Sequence, residues 1–458
     1  MTTGDHPRPG AGTRVTRWAE RPVLAVRAAL EGPLLRNAAS LYGSTIVTSF
    51  LGFLYWFVAA RLAPARAVGI ASAVQSAAQL LSVFCVLGLS TLLISELSHD
   101  RTHARTLMIT ASALVGLVAA VSAGVVSVVV HSFSTVVGSG LAGPVGTIVF
   151  ILLSAFTTIL VVLDDACIGL LRGDLQLKRN TVFAVSKLAI LPVLITVWAT
   201  QSGTELVVAW LVGLTVSLGT LAVRLAQLTS GQSSRLDFRM IYGKRRLMVG
   251  HHWLNVSISA PRLVLPILVA TIVSAAANAA FTAALLIIGF VNIIPSHLAT
   301  VLFALKPGDE VALRREVKKT MGICLVLAVV TAPFFFLFSH LILSFFGPSY
   351  TSATAALAIL GLSTYPAAVK THFVSISRVR GRMAQAGFST QLGACFEVGL
   401  AALGAVWHGI TGVAVGYLLA VVLEVVIYGP VVFGVLRSPR APSAGPSAPE
   451  GDDDVVTG

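Results

Sequence analysis

The chain has 458 residues, of which 56% are hydrophobic and only 11% charged. Soluble domains carry roughly 25% charged residues, so this composition cannot cover the surface of a soluble fold of this length, and the mean hydropathy of +0.87 indicates a membrane protein. The formal net charge of +13 does not indicate a nucleic-acid partner, because the basic residues stand in short clusters between apolar runs rather than on one polar face.

Residues 1–36 form a basic cytoplasmic tail with six Arg. Trp18, Val23, Leu24 and Leu30 against Arg14, Arg17, Arg21 and Arg27 would suit either a short interfacial helix or a disordered basic segment. No apolar core precedes Asn37, so no cleavable signal is expected. Six apolar runs follow, at 38–60, 67–98, 106–131, 145–171, 180–200 and 205–226. Each has about 20 residues or more, enough to cross ~30 Å of hydrocarbon as a helix. They make an N-terminal six-helix lobe over 37–226, ended by a cytoplasmic inter-lobe loop at 227–246. A second set, at 247–274, 277–304, 320–346, 353–376, 384–407 and 409–436, makes a C-terminal six-helix lobe over 247–436. The tail 437–458 is rich in Pro, Ser and Asp and is expected to be a disordered cytoplasmic segment.

The expected fold is therefore an all-α integral membrane protein with about twelve transmembrane helices in two six-helix lobes. Of the 32 Lys and Arg residues, 27 fall in the two tails or in and beside the connections after helices 2, 4, 6, 8 and 10. Only Arg61 and Arg66 lie on the opposite side, and Lys187, Arg262 and Lys370 fall within helices. Basic residues accumulate in cytoplasmic loops, so both termini are expected in the cytoplasm and the chain in the cell membrane. Six helices per lobe is an even number, so repeats would be related by an axis along the membrane normal.

The longest external connection, near 132–144, is uncharged. No Walker, HExxH or GxSxG motif and no paired-carboxylate loop is present, and Cys85, Cys167, Cys324 and Cys395 lack metal-site spacing. No enzyme and no metal site is expected, nor a repeated pore helix and filter. A secondary transporter or flippase remains.

Charges inside the membrane are costly, by about 2.5–3.5 kcal/mol at a helix centre, and mark either internal ion pairs or functional cavities. Asp164 and Lys187 are expected at similar depth on consecutive antiparallel helices, where they could pair or line a cavity. Arg262 is expected near the midplane between Pro261 and Pro266, at one level with Glu397 and Glu424. Either these three form an internal cluster, or Arg262 meets an anionic headgroup while the carboxylates bind a coupling proton or cation. Lys370 is expected to snorkel to the headgroups or to join the cavity, and Arg61 either binds phosphate or grips lipid headgroups. The candidate substrate-binding residues are therefore Arg262, Lys187, Arg61 and Lys370. The candidates for ion coupling or charge compensation are Glu397, Glu424 and Asp164.

Several segments also resemble a known family. The opening NAASLYGSTIVTSFLGFLYWFVAARLAPARAVGIASA carries Arg61, Leu62, Pro64 and Gly69 across the first helical connection. The stretch SFFGPSYTSATAALAILGLSTYPAAVKTHFVSISRVRGRM, the Pro-containing HHWLNVSISAPRLVLPILVATIV and the closing GITGVAVGYLLA add three more matches. Together, over about 37–436, they resemble the Wzx-type oligosaccharide flippases of the multidrug/oligosaccharidyl-lipid/polysaccharide (MOP) exporter superfamily. The resemblance implies two lobes around a central cavity and alternating-access translocation of a polyprenyl-diphosphate-linked oligosaccharide for polysaccharide biosynthesis. It implies a lipid-linked glycan, membrane lipids and other polysaccharide-assembly proteins as partners, and no cofactor beyond a coupling proton or sodium ion. The alternatives are a peptidoglycan-precursor (lipid II) flippase, a cation-coupled multidrug exporter of the same superfamily, or a polytopic membrane glycosyltransferase or polymerase.

Overall fold

A computed structural model describes residues 33–133, 143–198, 202–243, 245–305 and 308–437. The expected interfacial helix in the basic tail, the expected disorder of the closing tail and most of the connection near 132–144 lie outside the described residues. Among the described residues every regular element is helical. Among the described residues nine helices are long and apolar enough to span a membrane, and a bent pair taken as one span makes ten.

The first unit, Met1–Ala279, contains α1 (Pro33–Leu62), α2 (Ala65–Cys85), α3 (Leu89–His99), α4 (Ala104–Phe133), α5 (Gly143–Gly169), α6 (Gly173–Trp198), α7 (Thr204–Leu228) and α8 (Arg245–Leu268). The single long run expected at 67–98 is thus two helices. Leu87 and Gly88 turn the chain through φ of 53° and 76°, a left-handed step that ends an α-helix. After α8 the chain widens into a π-turn, Val269–Val273, and breaks at the extended residue Ser274.

α8 packs against α2, although the loop 227–246 precedes it. The packing continues into the start of α9 (Ala275–Thr300). Asn278 Nδ2 donates to the Gly69 carbonyl at 2.8 Å and to Ser72 Oγ at 2.9 Å. Gly69 is required there because the Ala275 carbonyl occupies the place of a Cβ. The boundary between the compact units therefore falls at 279/280, beyond the loop that divides the helices six and six.

The second unit, Ala280–Gly458, holds most of α9, then α10 (Glu310–Ser344), α11 (Thr354–Leu362), α12 (Thr364–Val379) and α13 (Met383–Arg437). The segments containing α11 and α12 meet at a 47° bend. α13 is two arms, broken at His408 and Gly409, where Gly409 has φ 56° and ψ −138°. The contacts Gly404 to Gly412, Leu400 to Gly416 and Gly393 to Glu424 recede on both sides of that break, so the arms run antiparallel. Each arm has the length of one span, and with α1 the twelve apolar runs all appear as helical segments.

The glycines set how closely the arms approach. A Cβ on Gly412 would strike the Gly404 carbonyl, whereas one on Gly399 would meet nothing within 4 Å. Overpacking of this kind costs about 1–3 kcal/mol. Gly412→Val is expected to lower the thermal unfolding midpoint of the purified protein, and Gly399→Ala to leave it unchanged.

Candidate functional site

Three charged side chains meet inside the second unit. Lys370 Nζ on α12 donates to Glu397 Oε1 at 2.6 Å and to Glu424 Oε1 at 3.2 Å, on the two arms of α13. The side chains are 12%, 4% and 0% exposed respectively, so the cluster is buried. The hairpin break brings the carboxylates together, because residues at similar distances from His408 and Gly409 face each other. Gly393, one turn from Glu397, leaves the space that Glu424 Oε1 and the Tyr428 hydroxyl fill. Tyr428 stacks on Phe373 with centroids 4.5 Å apart and donates to the Ser389 carbonyl at 3.2 Å.

The snorkelling expected of Lys370 is not found. Helical side chains lean toward the N-terminus of their own helix, which for Lys370 is away from Arg378 and Arg380 at the other end of α12. The ammonium is thereby carried to the carboxylates. It takes the place expected for Arg262 as their counter-ion. One ammonium faces two carboxylates, and Glu424 Oε2 is buried with no hydrogen-bond partner among the described residues. With all three groups ionised the cluster bears a net negative charge. His372, two residues along α12, is a satisfied core histidine, with Nδ1 at 2.8 Å from the Ala368 carbonyl and Nε2 at 3.0 Å from Thr320 Oγ1.

In the first unit the pair expected between Asp164 and Lys187 does not form. Arg179 takes Asp164 through both Nε and Nη2. α6 begins at Gly173, not near Asn180, so Arg179 lies about 9 Å along it and Lys187 about 21 Å. Asp164, five residues before the end of α5, matches the depth of Arg179.

Lys187 instead enters an aromatic cage. Its Nζ lies 3.4 Å from the Trp210 ring centroid, 4.4 Å from Phe183 and 4.9 Å from Tyr55. The residue is 2% exposed and forms no salt bridge among the described residues. Ring faces carry negative quadrupole charge, which stabilises the ammonium where no carboxylate does. The Tyr55 hydroxyl donates to the Leu206 carbonyl at 2.7 Å, which fixes one wall of the cage. Sequence reasoning missed this cage, since its members come from α1, α6 and α7 and each reads as an ordinary apolar residue.

Arg262 is exposed on α8 and has no ion-pair or hydrogen-bond partner among the described residues. Pro266 lacks the N–H that would close a helical bond on the Arg262 carbonyl, so the backbone there is freed as well. Arg61 ends α1, exposed, with its guanidinium 5.8 Å from the Phe57 ring centroid. Among the described residues no group of three or more His, Cys, Asp or Glu is placed to hold a metal ion.

Removing one partner of a buried charge cluster costs about 3–5 kcal/mol because it strands the others. Lys370→Met is therefore expected to destabilise the protein strongly in thermal and denaturant unfolding. The triple variant Lys370→Met/Glu397→Gln/Glu424→Gln should recover much of the loss. In contrast, Lys187→Met keeps volume within an apolar cage and strands no carboxylate, so it is expected to keep or raise the unfolding midpoint.

No family model and no curated protein matches this sequence. Solved structures do match. A multidrug resistance MATE family transporter of the MOP superfamily, in an inward-facing conformation, is 14% identical, with 86% of this chain and 98% of that one covered at a TM-score of 0.61. A MOP superfamily transporter from Pyrococcus furiosus is 12% identical, with 89% and 96% covered at 0.59. The lipid II flippase MurJ, in an inward closed conformation, is 12% identical, with 85% and 86% covered at 0.68. At these identities the likeness speaks for the fold alone: the chain is a multi-pass membrane protein with the fold of the MATE and MurJ transporters.

Proposed function

We propose that this chain is a flippase that carries a polyprenyl-diphosphate-linked oligosaccharide across the cytoplasmic membrane by alternating access. The observation that carries this reading is Arg262, a cation without a partner among the described residues, on a membrane helix that contains Pro261 and Pro266. An unpaired charge at that depth is retained where a ligand or cavity compensates it. A diphosphate is an anion of the right kind, and the prenyl chain would remain in lipid. Arg61, exposed at the end of α1, supplies further positive charge in the same unit. An exporter of cationic drugs would need carboxylates open to its substrate, whereas Asp164, Glu397 and Glu424 each sit against a cation.

The cluster of Lys370, Glu397 and Glu424 is the proposed coupling site. One proton, or one sodium ion, would bring it to neutrality, and Glu424 Oε2 is the oxygen with no hydrogen-bond partner among the described residues. This role needs no enzyme chemistry and no bound cofactor. The basic connections place both termini in the cytoplasm under the same proposal. Membrane lipids and polysaccharide-assembly proteins are its proposed neighbours.

The second reading is a peptidoglycan-precursor flippase, favoured by the TM-score of 0.68 to MurJ. It shares the diphosphate chemistry and differs in the glycan.

The test is reconstitution into liposomes with a labelled polyprenyl-diphosphate oligosaccharide or labelled lipid II, scored by appearance of label in the opposite leaflet. Arg262→Gln is expected to cut translocation by about tenfold or more, the worth of a lost hydrogen bond to a charged group, without changing membrane insertion. Unchanged translocation would sink the proposal. Glu424→Gln is expected to remove any acceleration by an imposed proton or sodium gradient while leaving gradient-free equilibration measurable.

A further inference from the structure

A basic groove lies in the first unit at the open end of the α6–α7 hairpin, and the proposed substrate cation Arg262 is not among the residues that line it. It encloses about 640 Å³ and is lined by Lys178, Arg179 and Val182 of α6 and by Gly219, Val223 and Arg224 of α7. We propose that this groove is a binding site for an anionic phospholipid of the surrounding bilayer, with its phosphodiester between Lys178 and Arg224.

Three features point to that occupant. The first is depth. Lys178 lies five residues after the start of α6 and Arg224 four before the end of α7, so both stand roughly 6–8 Å from the helix ends, at headgroup level. The second is charge. Arg179 is held by Asp164, but Lys178 is 74% exposed and only 3.9 Å at best from Asp174, which already takes Arg172 at 2.8 Å. Arg224 is exposed and bonds the neutral Gln227 at 3.2 Å, with no carboxylate partner among the described residues. Two cations thus face one groove without a matched anion. The third is shape. Gly219 lies deeper along α7, and a Cβ there would meet nothing within 4 Å. Beside exposed Val223 and half-buried Val182 it leaves an apolar notch beneath the cations, suited to an acyl chain. Basic pockets between membrane helices hold anionic headgroups for this reason.

The test uses the purified full-length chain in nanodiscs of phosphatidylcholine with a minor share of phosphatidylglycerol, followed by native mass spectrometry of retained lipid. Wild type is expected to retain phosphatidylglycerol in preference to phosphatidylcholine. Lys178→Gln and Arg224→Gln should each weaken that preference about fivefold, the effect of one basic residue near a headgroup. Arg382→Gln/Arg437→Gln, which removes two exposed charges at the two ends of α13, should leave it unchanged. Gly219→Leu keeps every charge and fills the notch, so it should also reduce retention, which covers the case in which a charge variant fails to fold. Equal retention of the two lipids by wild type, or an equal loss in the α13 variant, would overturn the proposal. None of these outcomes depends on what the chain transports.

Discussion

Taking an ammonium or a carboxylate out of water costs several kcal/mol even after the protein relaxes around it. In a chain of 458 residues with so few charges, that cost decides where each intramembrane charge can stand. Arg179 closes on Asp164, Lys370 closes on Glu397 and Glu424, and Lys187 is surrounded by ring faces. The helices that bear these residues are held in register by the same contacts. Arg262 stands apart because it is exposed and has no protein partner among the described residues. The proposed function rests on that difference.

The two units satisfy the same constraint by different means. The first uses a bidentate arginine and an aromatic cage, and its charges lie at two depths along α6. The second gathers three charges at one level between α12 and the arms of α13. Its cluster sets one ammonium against two carboxylates, and one oxygen, Glu424 Oε2, has no hydrogen-bond partner among the described residues. The first unit's pair is balanced, one guanidinium to one carboxylate.

Much of the architecture was legible in the sequence. Hydropathy located the membrane segments, and the clustered basic residues marked every second connection between them. Helix ends were less legible. The polar stretch Arg172 to Asn180 reads as a loop, yet Gly173 starts a helix there, and that shift of about two turns moved Lys187 out of reach of Asp164. The level of Glu397 and Glu424 could be read from spacing, because both lie on arms that meet at a tight reversal. The direction of the Lys370 side chain could not, since snorkelling and inward pointing begin from the same Cα. Trp210 and Tyr55 gave no sign of their role, because an aromatic wall around a cation has no local sequence period.

The reversal at His408 and Gly409 has a mechanical consequence for the second unit. Gly404, Gly412 and Gly416 let the arms of α13 touch backbone to backbone, so the hairpin resembles a stiff two-pronged fork. Glu397 and Glu424 sit one on each prong, and their separation is fixed by that joint. A change in their charge therefore has little leverage on the fork itself. The force falls on Lys370, whose helix begins just past the bend between α11 and α12. Were the charge of the cluster to change, the balance of forces would shift on α12 before it shifted on the fork.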